Sequence, residues 1–114
     1  MINYNLEDEK NLEFYNIGND ELLNGERVFI DVNEKSVVVF NIAGKYFAIS
    51  DVCSHDEGPV GDGLIDGYHI VCPRHGAEFD VRSGKAMTMP AVRDIPAFPI
   101  KVINGNIFIG IPKE

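Results

Sequence analysis

No apolar run in this chain of 114 residues is longer than four, as in Val37-Val38-Val39-Phe40, whereas crossing a bilayer takes about 20. A membrane-spanning helix is therefore not expected. Positive charge is also scarce, with ten Lys and Arg against eighteen Asp and Glu and a net charge of -8. Nucleic acid is then an unsuitable partner, because holding a polyanion takes a basic patch that displaces counterions. The first ten residues have neither the basic start nor the apolar core of a secretory signal and turn acidic instead, so a cytoplasmic address is expected. Cysteine is nearly absent, with two in all, which excludes a scaffold stapled by several disulfides.

What is present fits one ordinary globular domain over residues 1–114, with 45% hydrophobic and 25% charged residues. Short runs rich in Val, Ile, Phe and Tyr alternate with Gly, Asn, Asp and Pro, the pattern of an all-β chain. Ala43-Gly44, Asp66-Gly67 and Asn104-Gly105 lie between such runs and supply the positive φ of tight hairpins. These marks predict strands near 12–17, 27–31, 35–42, 45–49, 68–71, 77–81, 98–103 and 106–111, with room for one helical turn at 19–24. In the strand at 98–103, Phe98, Ile100 and Val102 would alternate onto one face.

Between about 51 and 91 the texture changes to Gly, Pro, Cys and His, as in a functional tip carried on a rigid β base. Each cysteine is followed closely by a histidine, in Cys53-Ser54-His55 and Cys72-Pro73-Arg74-His75. A disulfide suits a cytoplasmic protein poorly and leaves both histidines without a purpose. A zinc site of two Cys and two His is chemically reasonable. Zinc fingers, however, usually pair Cys with Cys and His with His, whereas here each loop brings one thiolate and one imidazole. That split suits a binuclear [2Fe–2S] centre in which two thiolates hold one iron and two imidazoles the other.

These residues carry a resemblance. Cys53-Ser54-His55, then residues 56–71, then Cys72-Pro73-Arg74-His75-Gly76 resembles the signature of the Rieske family, and the likeness continues through Phe79-Asp80-Val81-Arg82-Ser83-Gly84-Lys85 to the terminal hairpin. It implies three antiparallel β-sheets, with a small cluster-binding subdomain set into a β basal domain. It also implies one [2Fe–2S] Rieske cluster held by Cys53, His55, Cys72 and His75, and a proline loop at Met89-Pro90-Ala91 covering that cluster. Gly61 and Gly63 would turn the first loop and expose amides to sulfide, while His69 would be structural.

The family's cytochrome bc branch has an additional cysteine in each loop, where this chain has Gly58 and Arg74, and hydroxyls where it has Ala77 and Phe79. The departures point to the ferredoxin branch and to a reduction potential low in the Rieske range. The resemblance thus implies a one-electron carrier and no enzyme. Such a carrier passes electrons from an NAD(P)H-linked flavoprotein reductase to a terminal non-heme iron oxygenase or another redox enzyme. The small subunit of an assimilatory nitrite reductase and an accessory protein of iron–sulfur assembly are the alternatives. Asp51, Asp56, Glu57 and Asp62 in the first loop would supply negative charge for docking a basic partner.

Overall fold

A computed structural model describes residues 11–19, 21–53, 58–74, 76–88 and 93–113. Among them are ten strands: β1 (Leu12–Asn19), β2 (Arg27–Val32), β3 (Lys35–Ile42), β4 (Lys45–Ser50), β5 (Leu64–Asp66), β6 (His69–Val71), β7 (Glu78–Asp80), β8 (Ala97–Phe98), β9 (Ile100–Ile103) and β10 (Asn106–Pro112). They form three antiparallel sheets, β1-β10-β9, β2-β3-β4-β8 and β5-β6-β7. Among the described residues no helix is long and apolar enough to cross a membrane.

The four-residue apolar run explains the layering. Val37 and Val39 on β3 pack with Ala48, Phe98, Ile109 and Ile111, the core shared with the β1-β10-β9 sheet. Val38 and Phe40, one residue out of phase, pack with Ile49, Ile70, Phe79 and both cysteines, the core shared with the β5-β6-β7 sheet. Successive side chains on a strand point to opposite faces, so a strand covered on both sides reads as a continuous apolar run. The β2-β3-β4-β8 sheet is that middle layer. Each of these four side chains is buried, which stabilises the fold by roughly 1.5–3 kcal/mol per residue relative to exposure.

Turn chemistry sets the registers. Ala43-Gly44 and Asn104-Gly105 have positive φ at both central positions, the signature of a type I′ hairpin. So do Asn33 and Glu34, at φ 50° and 66°, a hairpin the sequence did not announce. In the next hairpin the positive φ falls on Gly67 alone, because Asp66 still pairs with His69 and closes β5.

Three expectations are corrected. Among the described residues of 19–24 no helical turn forms: β1 continues to Asn19, and Asn24 and Gly25 lie in a turn whose Gly25 N–H donates to the Asn41 carbonyl. The strand expected at 98–103 is two strands in different sheets, broken at Pro99, which has no N–H to give to a ladder. Its supposed single face is lost at that switch, so Phe98 is buried while Val102 is exposed. The edge strand β5 is additional, and its Leu64 is 78% exposed.

Candidate metal centre

The two cysteines open loops built to one plan. Cys53 lies after β4, and its N–H donates to the Gly58 carbonyl at 2.7 Å; Cys72 follows β6, and its N–H donates to the Ala77 carbonyl at 2.7 Å. In both loops the cysteine is bonded to the residue five positions on, so each loop folds back with its cysteine at the closed neck. A second bond, from the Gly76 N–H to the Cys72 carbonyl at 3.1 Å, tightens the second loop.

Both cysteines are buried, 0% and 1% exposed, in one cluster with Val60, Ile70, Ala77 and Phe79. They are not joined in a disulfide. Two buried thiols at the necks of matched loops are the donor set that a [2Fe–2S] centre asks of its inner iron, so the residues present fit such a group. His55 and His75 lie outside the described residues, as do Asp56, Glu57 and the Met89-Pro90-Ala91 loop. Among the described residues no group of three or more His, Cys, Asp and Glu is placed to hold a metal ion.

The rest of the first loop is held from outside. Asp51 Oδ1 accepts the Val60 N–H at 3.0 Å and the Gly61 N–H at 2.7 Å. On the other side of Gly61, Arg27 Nη1 donates to the carbonyls of Gly61 and Gly63 at 2.5 and 2.6 Å. A Cβ at Gly61 would overlap the Phe29 ring, and one at Gly63 would overlap the Val71 carbonyl oxygen. These two glycines therefore serve close packing. Their amides are spent on Asp51 and on the Val60 carbonyl, not presented to sulfide. Asp51, half-buried and committed to two backbone amides, is a structural carboxylate and not an open docking charge; Asp62 is exposed.

The second loop reaches across to the first. Arg74 Nη1 donates to the Pro59 carbonyl at 2.7 Å, and its guanidinium lies so close over Gly58 that a Cβ there would stand 2.9 Å from Arg74 Cζ. Gly58 and Arg74, where the resemblance would put an additional cysteine in each loop, are thus in contact. The sequence marks Arg74 only as a departure from the cytochrome bc branch and does not mark Arg27 at all, because Arg27 acts on a carbonyl 34 residues away and nothing local points to it.

His69 faces Glu78, Nδ1 to Oε1 at 3.2 Å, which gives it a place on the β6-β7 pair. Beyond β7, Arg82 forks onto Asp80 and lies 4.3 Å from the centre of the Tyr68 ring, and Tyr68 meets Phe47 edge-on at 5.7 Å. The Arg82 guanidinium holds the Asp80 carboxyl below the usual carboxylate range. Asp94 is likewise lowered, by the Ala86 N–H that it accepts at 2.8 Å, a bond that ties together the two ends of the 86–94 segment.

Residues 13–99 match the family described as the Rieske [2Fe-2S] domain. The chain is 32% identical over 90 residues, 79% of its length and 86% of the relative's, to the ferredoxin component of the naphthalene 1,2-dioxygenase/salicylate 5-hydroxylase systems of a Ralstonia species. It is 36% identical, over 78% of its length and 84% of the relative's, to the 3-phenylpropionate/cinnamic acid dioxygenase ferredoxin subunit of Escherichia coli K12. Among solved structures it superimposes on the ferredoxin of carbazole 1,9a-dioxygenase from Nocardioides aromaticivorans IC177 with a TM-score of 0.77 and 30% identity, covering 86% of this chain and 98% of that one. With two buried cysteines at the necks of matched loops, three antiparallel sheets and that match over residues 13–99, the chain belongs to the Rieske [2Fe–2S] domain family.

Proposed function

We propose that Cys53, His55, Cys72 and His75 hold one Rieske [2Fe–2S] cluster, the thiolates on the inner iron and the imidazoles on the outer. The domain is the ferredoxin of a ring-hydroxylating dioxygenase system. It takes one electron at a time from an NAD(P)H-linked flavoprotein reductase and gives it to a terminal non-heme iron oxygenase, in the cytoplasm. Residues 1–114 make one domain, with the cluster in the tip at about 51–91.

The observation that carries this reading is the matched pair of buried, unbridged cysteines, each hydrogen-bonded to the residue five positions on. Relatives more than 30% identical over most of the chain are ferredoxin components of dioxygenase systems, which favours the ferredoxin role over a nitrite reductase subunit or an assembly factor. When bound, the cluster supplies a one-electron change. The chain's own work is to bury the thiolates, fix the two loops relative to one another through Arg74 and Pro59, and keep water from the inner side with Val60, Ile70 and Phe79.

The test is metal and sulfide analysis of the natively expressed protein, with electron paramagnetic resonance after reduction. Two irons and two acid-labile sulfides per chain, with visible absorption that bleaches on reduction, are expected. A colourless protein with one zinc would defeat the reading. His55→Ala and His75→Ala should lose or degrade the cluster, and the loaded protein should couple a cognate reductase to a terminal oxygenase without remaining bound to either.

A further inference from the structure

Gly61 is gripped from two sides by groups of opposite charge. Its N–H donates to the carboxylate of Asp51, and its carbonyl accepts from the guanidinium of Arg27, which also holds the Gly63 carbonyl and lies 5.2 Å from the centre of the Phe40 ring. Both groups come from the middle sheet: Arg27 begins β2, and Asp51 directly follows β4. Gly61 lies three residues beyond Gly58, the residue that closes the first cysteine loop onto Cys53, and Asp51 stands two residues before Cys53. Resting on the assignment of the cluster to these loops, we propose that Arg27 and Asp51 are a pair of positioning residues. They fix the first cluster loop to the middle sheet and set the reduction potential through their opposed charges.

The physical argument has two parts. A loop held only by its own neck bond can shift against the base, whereas two half-buried partners on the two faces of one residue leave it one position. Groups that support a metal's ligands from behind commonly tune the metal as well. Reduction adds one negative charge to the cluster, so a nearby cation favours the reduced state and a nearby anion disfavours it. Half-buried charges are screened less than exposed ones, so both fields reach the cluster. As a pair they largely cancel, and removing either charge unmasks the other.

The test uses Arg27→Gln, Asp51→Asn and the double variant, each purified with its cluster and compared at equal iron and sulfide content by voltammetry. Asp51→Asn keeps an oxygen acceptor for the two amides while losing the charge. Arg27→Gln should lower the potential and Asp51→Asn should raise it, each by a two- to fivefold change in the electron-partition constant, or roughly 20–40 mV at about 59 mV per tenfold. The double variant should return close to the native value. A pair that merely braces the fold would move the unfolding temperature and leave the potentials unmoved, or shift both in the same direction, and either result overturns the proposal. Should Arg27→Gln fail to load a cluster, Asp51→Asn decides alone: a raised potential supports the proposal, and an unmoved or lowered one overturns it. Absence of iron and sulfide from the native chain would instead defeat the assignment of the cluster itself, a failure read before any variant is made.

Discussion

Arg82 and Asp80 meet through two side-chain bonds, Nε to Oδ1 at 3.0 Å and Nη2 to Oδ2 at 2.8 Å, while the Arg82 N–H also donates to Asp80 Oδ1 at 2.8 Å. Asp80 is buried, and these bonds favour its ionised form, so its folded pKa lies below the unfolded value of about 3.9. Protons then bind the unfolded chain more readily. The stabilisation is fully present above the unfolded pKa and is lost as pH falls through the folded one. Arg82→Gln should therefore lower stability most at neutral pH, by a loss that shrinks as pH falls through the folded pKa, and should move the acid-unfolding midpoint to higher pH, as followed by circular dichroism against pH. An unchanged midpoint would show that the pair does not couple to folding.

Ala77 and Phe79 are fully buried in the cluster that holds both cysteines, and the Ala77 carbonyl closes the second loop onto Cys72. Neither side chain can donate a hydrogen bond to sulfur. The potential should accordingly lie low in the Rieske span of about -150 to +300 mV. Ala77→Ser and Phe79→Tyr should each raise it by some tens of millivolts, since one charge-assisted hydrogen bond is worth about as much as a tenfold change in equilibrium, roughly 59 mV. Voltammetry of the native protein and both variants decides; a native value well above zero, or variants that move downward, would contradict this account.

The glycines of the first loop are not equivalent. A methyl group at Gly63 would overlap the Val71 backbone carbonyl, which cannot move without opening the β5-β6 pairing of Leu64 with Val71. At Gly58 it would press only on the far end of the Arg74 side chain, which can withdraw at the cost of its bond to Pro59. Gly63→Ala should destabilise the protein by about 3 kcal/mol, the upper end for overpacking. Gly58→Ala should cost roughly 0.5–1.5 kcal/mol, the net worth of a hydrogen bond. Denaturant unfolding of both variants checks the order, and equal losses would show that the loop yields at both places.

Much of this was legible in the sequence, for reasons that residues make plain. Asn104-Gly105 and Gly44 can adopt positive φ at little cost, so those hairpins stood out. Asn33-Glu34 adopts the same geometry with a residue that gives no such signal, and its hairpin was invisible. The unbroken burial of Val37 to Phe40 was written in a run that alternation rules alone do not assign to a layer. Cys53 and Cys72 were visible because cysteine is rare here, and the structure places both in one buried cluster. What sequence could not disclose was the support behind the loops. Arg27 and Arg74 act on backbone carbonyls, which every residue has, so no partner type marks the pairing. Asp51 was misread for a related reason: a carboxylate near an exposed loop looks like surface charge until the amides it accepts are seen.

Among the described residues the first and last strands lie side by side, with Leu12 opposite Pro112 and Asn19 opposite Asn106. Every contact between them closes most of the chain, whereas the β5-β6-β7 sheet is made of neighbours in sequence. Closing a loop costs entropy that grows with its length, and long-range pairings slow folding. The sheet around the second cysteine loop is therefore expected to assemble early and β1 to dock on β10 last. During synthesis the second cysteine loop can then be shaped while the far layer of the protein is still unmade.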